Sequence, residues 1–177
     1  MNVLWSIHLY PPTHNCGSEY VAHLVNTFLV SKGHNVRVII HQDKNIFTPY
    51  NYEGVEVFGS KVGGHVDTYR WANIILTHLD FTQFSIVMAK EARKHLVHFV
   101  HNDIPYSSIM HNFGNVSAVY NSQWIADKIG YNIPGIVLQA PEAWGSPSVS
   151  IAGFTGFGSF GVLRMAAKLF SDTSASR

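Results

Sequence analysis

Apolar positions along the chain follow two alternating rhythms. Val3 to Leu9 is a short run rich in strand formers, and Pro11-Pro12 ends it because proline has no N–H for a ladder. After the loop Thr13 to Gly17 the spacing changes. Tyr20, Val21, Leu24, Val25, Phe28 and Leu29 recur at helical intervals and predict a helix. Ser18 is placed to cap it and Gly33 to stop it. Asn35 to His41, with Val36, Val38, Ile39 and Ile40, then predicts a second strand. Strand, loop, helix, strand is a βαβ unit, which closes onto a parallel sheet.

The alternation continues. Short strands are predicted over Val55 to Phe58, Asn73 to Thr77, Leu96 to Val100, Val116 to Tyr120 and Ile136 to Leu138. Helices are predicted over Phe81 to Arg93, with Phe84, Val87, Met88 and Ala92 on one face, and from Ser122, its cap, to Ile129. Ser107 to His111 is predicted as a helical turn. Strands that are apolar on both faces and separated by helices imply an α/β fold, a Rossmann-like parallel sheet with helices on both faces. This organisation covers residues 1–141. Residues 142–177 break it: Gly145 to Ser159 is rich in Gly, Ser and Phe, and Phe160 to Phe170 has the pattern of one terminal helix.

Composition sharpens the picture. Hydrophobic residues make up 46% of the 177 and charged residues 13%, about half the usual share for soluble domains. So low a charge implies a sheet buried on both sides or a face hidden against something else. The formal net charge is +1 and no long basic block occurs, which sets nucleic acid aside as a partner. The one cysteine, Cys16, excludes an internal disulfide and any Cys/His zinc spacing, and makes a reducing, cytoplasmic setting the default expectation. The first residues lack a basic n-region, which argues against a signal peptide, and no apolar window reaches the ~18 residues of a membrane span. Peripheral membrane contact stays open.

In an open parallel sheet, ligands bind beyond the carboxyl ends of the strands, so the residues there carry the candidate chemistry. Pro11 to Glu19 leads into a helix N-terminus, where free N–H groups and the helix dipole favour a phosphate or another anion. Gly17 permits close backbone approach. His101-Asn102-Asp103 follows another strand. His101 is suited either to a general base or to a hydrogen bond with a sugar or phosphate oxygen, the bland alternative being a loop in which Asp103 caps the next turn. His98, inside that strand, reads as a satisfied core histidine, and its three-residue offset from His101 makes the two a poor metal pair. His78-Leu79-Asp80 and Asn121-Ser122-Gln123-Trp124 also end strands, and capping is the favoured reading of both. Cys16 has no activating partner in the sequence and reads as an ordinary loop cysteine.

Several of these residues occur in a familiar order. Pro11-Pro12, Gly17 and Glu19 precede a helix that ends in Ser31-Lys32-Gly33-His34-Asn35-Val36, followed by a Val/Ile strand. Val97 to Asp103, Val119 to Trp124 and Ile136 to Pro141 follow at matching intervals. Together they resemble the N-terminal, acceptor-side domain of GT-B glycosyltransferases, and most of all glycosyltransferase family 4. The resemblance covers about residues 1–141 and departs at Asn15-Cys16, where the family more often has a glycine before the one matching Gly17. It implies metal-independent, retaining transfer of a sugar from a nucleotide-sugar donor to a sugar or glycolipid acceptor. The nucleotide sugar is then a substrate, and no cofactor is implied. His101 and Asp103 would be the catalytic residues, with Gly17, Ser18, Glu19, Asn102 and Ser122 binding donor phosphate or acceptor.

The second GT-B domain of that family commonly carries Glu-x7-Glu. Here Glu142 is followed eight residues later by Ser150, so only the acceptor-side half is expected, and sugar transfer by this chain alone is not. A second GT-B domain or a second copy of the chain is then the expected partner. The competing reading is a non-catalytic binding or regulatory module that pairs with itself or with a partner domain. A small self-contained α/β enzyme using His101 and Asp103 as an acid–base pair comes third.

Overall fold

The computed structural model describes residues 1–42, 48–60, 65–79, 82–101, 116–129 and 135–137. In chain order these form β1 (Asn2–Ile7), α1 (Gly17–Ser31), β2 (Asn35–Ile40), β3 (Tyr50–Tyr52), β4 (Val55–Gly59), α2 (His65–Trp71) and β5 (Ile74–His78). There follow α3 (Thr82–Ala92), β6 (His95–Val100), β7 (Val116–Tyr120), α4 (Gln123–Ile129) and β8 (Gly135–Val137). The strands make one sheet in the order β3-β4-β2-β1-β5-β6-β7-β8. Every neighbouring pair is parallel except β3 with β4. The Rossmann-like α/β sheet expected from the alternating pattern is thus what the chain forms.

Helices cover both faces. On one, Trp5, Ile7, Val38, Leu76, Val97 and Phe99 pack against Ala22, Val25 and Leu29 of α1. On the other, Leu4, Ile39, Ile75 and Leu96 pack against Tyr69 of α2 and Ile86, Met88 and Ala89 of α3. Strand alternation sends neighbours to opposite layers, which is why the central strands are apolar throughout.

The ends of α1 explain its position. Lys32 closes the helix and Gly33, with φ +78, turns the chain left-handed. Gly33 N–H donates to the Val30 carbonyl at 2.9 Å and His34 N–H to the Leu29 carbonyl at 3.1 Å, so the stop expected at Gly33 is present as a Schellman turn. At the other end the expected Ser18 cap is not formed. Cys16 occupies the N-cap position, no side chain caps the helix, and the Ser18 hydroxyl donates instead to Glu19 at 3.0 Å.

Two helix faces differ from the apolar spacing. α1 buries Glu19, Ala22, His23, Val25, Asn26 and Leu29 and leaves Tyr20 exposed. Its three buried polar side chains each find a polar partner, so the helix is rotated toward them. α3 buries Thr82, Ser85, Ile86, Met88, Ala89 and Ala92, while Phe84 and Val87 face outward. Ser85 draws that rotation, since its hydroxyl donates to Ser6 Oγ at 2.8 Å and accepts from Thr77 at 3.3 Å inside the layer. The pattern also passed over β3 and α2. β3 pairs with β4 through a two-residue turn at Glu53-Gly54, both at positive φ. The helical turn expected over Ser107 to His111, the tail 142–177, and Asn102 and Asp103 lie outside the described residues.

Candidate functional site

Four neighbouring strands of the sheet carry a histidine at their carboxyl ends: His78 is the last residue of β5, and His41, His8 and His101 directly follow β2, β1 and β6. The apolar runs that build the sheet end at these positions, so the imidazoles are the first polar side chains at its carboxyl edge. Those of His8, His78 and His101 meet. The His8 and His78 ring centroids are 5.4 Å apart, and those of His78 and His101 5.3 Å apart. Trp5 lies edge-on to His78 at 6.1 Å, and Phe99 stacks beside His101 at 6.4 Å. His41 turns the other way. Its Nε2 lies 2.7 Å from Ser6 Oγ, which accepts from Tyr69 and Ser85, so Ser6 spends its own proton on His41 and this group is a satisfied structural network.

Glu19, in the first turn of α1, adds a carboxylate to the cluster. It is 2% exposed, and its Oε1 lies 2.5 Å from His8 Nε2. The N-terminal dipole of α1 favours a negative group at that position. Gly17 and Ser18 sit immediately before it at the exposed start of the helix. The structure therefore sets Glu19, with Gly17 and Ser18 just before it in the chain, beside the cluster that includes His101.

Ser122 stands one strand further along. Its Oγ accepts the Ile125 N–H at 3.3 Å, so it caps α4 as the sequence suggested. Beside it, Asn121 Nδ2 donates to the His101 carbonyl at 2.8 Å and fixes the backbone where β6 ends.

Polar atoms in the cluster are left without partners. Both ring nitrogens of His78, Nδ1 of His8, Nε2 of His101 and Nε1 of Trp5 are buried with no hydrogen bond. His98 is buried as expected, yet its Nδ1 is also unpartnered, so it is not a satisfied core histidine. Each such group costs about 1–3 kcal/mol relative to a bonded one. Leu79, directly after His78, adds strain with φ +56.

Burial sets the protonation of the cluster. It holds His78 well below the ordinary imidazole range, helped by His101, His8 and His98. It pushes His98 down to about 3, with His101 adding to the effect. It pushes His101 down to about 4 even though the Glu19 carboxylate pulls the other way. At neutral pH these rings are neutral, each with one donor and one acceptor nitrogen. Of the two roles open to His101, hydrogen bonding suits such a ring better than proton abstraction. Among the described residues no three His, Cys, Asp or Glu side chains are placed to hold a metal ion, and no helix is long and apolar enough to cross a membrane.

In the sequence His8 stands inside an apolar run and His78 in a segment read as capping, whereas neither ring nitrogen of His78 caps anything. The usable signal was the repeated ending of strands in histidine: Ile7-His8, Ile40-His41, Thr77-His78 and Val100-His101. No family model matches this chain, and a search of curated proteins matches none to it.

Proposed function

We propose that this chain is the acceptor-side domain of a two-domain, GT-B-type glycosyltransferase, acting with a donor-binding domain to move a sugar from a nucleotide sugar to a sugar or glycolipid acceptor. The observation that carries this reading is the buried His78 and His101 pair, with nitrogens that lack partners, beside Glu19 and an α1 N-terminus that no side chain caps. Neutral imidazoles offer paired donors and acceptors, as sugar hydroxyls require, and a helix N-terminus favours a phosphate. The Glu19 carboxylate beside them can accept a further hydroxyl. The site lies beyond the carboxyl ends of parallel strands, where ligands of open α/β sheets bind. Asp103 and Asn102 complete the proposed set from the sequence side, as the residues after His101.

The test is an imidazole nitrogen NMR titration with UDP- and GDP-linked sugars and with free saccharides. The expected result is a selective shift of the His78 and His101 signals, lost in Glu19→Gln and His101→Ala. Binding near millimolar, roughly −4 kcal/mol, is enough to register. Unmoved histidine signals with every sugar and nucleotide sugar would sink the proposal.

A further inference from the structure

The end of the sheet opposite the histidines holds a second concentration of chemistry. α2 ends at Trp71 and α3 at Ala92, just before the chain enters β5 and β6. An open recess of about 700 Å3 lies there, lined by Arg70, Lys90, Glu91, Ala92, Arg93 and Lys94. Four cations face one carboxylate, a formal +3. Asp67 lies 3.1 Å from Arg70 and offsets part of that charge. A third of the 12 lysines and arginines thus border one concavity.

The backbone there is held in place at a cost. Arg93 has φ +56, in the region that favours glycine. Arg93 N–H donates to the Lys90 carbonyl at 3.0 Å and Lys94 N–H to the Ala89 carbonyl at 2.9 Å, so both side chains leave a closed Schellman turn. After α1 the same turn uses Gly33. The chain therefore has glycine where the turn alone matters and arginine where it borders the recess. The α3 dipole favours Lys90, Arg93 and Lys94 and the α2 dipole favours Arg70, but neither dipole requires the two helix ends to set their cations around one concavity.

We propose that this recess binds closely spaced phosphoryl groups, from a soluble polyphosphorylated molecule or from a lipid headgroup. Two guanidinium forks can each grip a phosphoryl group with paired N–H donors, and two ammonium groups add point charges around them. The proposal is independent of the histidine site.

Calorimetric titration with tripolyphosphate tests it, in the unaltered chain, in Arg93→Gly and in Lys128→Gln, which removes an equal charge on α4. Glycine suits the left-handed turn, so Arg93→Gly folds at least as well. Its affinity for tripolyphosphate is expected to fall roughly tenfold. Lys128→Gln is expected to change affinity less than about twofold, and added salt to weaken binding throughout.

Vesicle flotation separates the sources. Arg93-dependent capture by phosphatidic acid vesicles but not phosphatidylcholine vesicles, without binding of free tripolyphosphate, assigns the recess to a lipid headgroup. Arg93-dependent binding of free tripolyphosphate assigns it to a soluble ligand. No binding of either probe, or equal losses in the two variants, overturns the proposal.

Discussion

His8 Nε2 and Glu19 Oε1 lie 2.5 Å apart, and the pair ties the exit of β1 to the first turn of α1. The two residues belong to the segment through which a βαβ unit passes from strand to helix, so one contact both closes the fold locally and sets a carboxylate in the candidate site. Glu19 is otherwise supported by the Ser18 hydroxyl at 3.0 Å.

Removing the imidazole is expected to be costlier than neutralising the carboxylate. His8→Ala leaves a buried acid with one donor fewer and is predicted to destabilise the chain by about 2–4 kcal/mol. Glu19→Gln keeps an acceptor oxygen for His8 Nε2 and should cost less than about 1.5 kcal/mol. Urea unfolding of the two variants checks the order. Equal losses would mean that the charge, rather than the hydrogen bond, holds the segment together.

A second contact chain ties the β3–β4 hairpin to α1. Asn26 Nδ2 donates to the Tyr10 hydroxyl at 3.0 Å, that hydroxyl donates to His23 Nδ1 at 3.0 Å, and His23 Nε2 then donates to Glu53 at 3.1 Å. Burial pushes the Tyr10 phenol up, which keeps it a donor. Tyr10→Phe strands two buried partners at once and is predicted to cost about 2–4 kcal/mol. His23→Phe should restore part of that loss in the double variant. A cycle with no coupling between positions 10 and 23 would refute the relay.

Gly33 and Gly54 separate backbone strain from steric clash. Both have positive φ, +78 and +83. A Cβ on Gly33 meets nothing within 4 Å, whereas one on Gly54 would sit 2.9 Å from Val30 Cγ1. Gly33→Ala therefore carries only the left-handed penalty, about 1 kcal/mol. Gly54→Ala carries that and the clash, about 2–3 kcal/mol in all. Thermal unfolding should rank them so, and adding Val30→Ala to Gly54→Ala should bring its incremental penalty down to that of Gly33→Ala.

The sheet was legible because its central strands obey a simple rule. Val3 to Ile7, Val36 to Ile40 and Leu96 to Val100 are almost wholly apolar, the mark of strands covered on both sides. Helix rotation was not legible, because apolar spacing assigns Glu19, His23 and Asn26 to water. They are buried through partners outside α1: His8 for Glu19, Glu53, 30 residues away, for His23, and Tyr10, 16 residues away, for Asn26. The Tyr50–Tyr52 strand is too short to show a period, and Glu-Gly stands where Asn-Gly would have marked its turn. The candidate site was half legible. Gly17, Glu19 and His101 stand beside recognisable strand and helix ends. His8 stands inside the apolar run Val3 to Leu9, and only the meeting of β1 with β5 gives it His78 as a neighbour.

The same cluster predicts how stability depends on pH. The folded chain holds His98 near 3 and His101 near 4, against 6.5 when unfolded, with His78 depressed as well. Between those values the unfolded chain binds protons that the folded one refuses. Stability is thus fully present above about pH 6.5 and is lost as pH falls toward the folded values. Each histidine contributes a slope of about 1.4 kcal/mol per pH unit. His98 and His101 together remove about 5 kcal/mol between pH 6 and 4, comparable to the whole stability of many domains. Unfolding free energies across that range should show a plateau at neutral pH and a steep acid limb. His98→Leu, which swaps a buried ring for an apolar side chain, should shallow that limb by about one proton. A limb unchanged in His98→Leu would mean that this imidazole is already solvated in the folded chain.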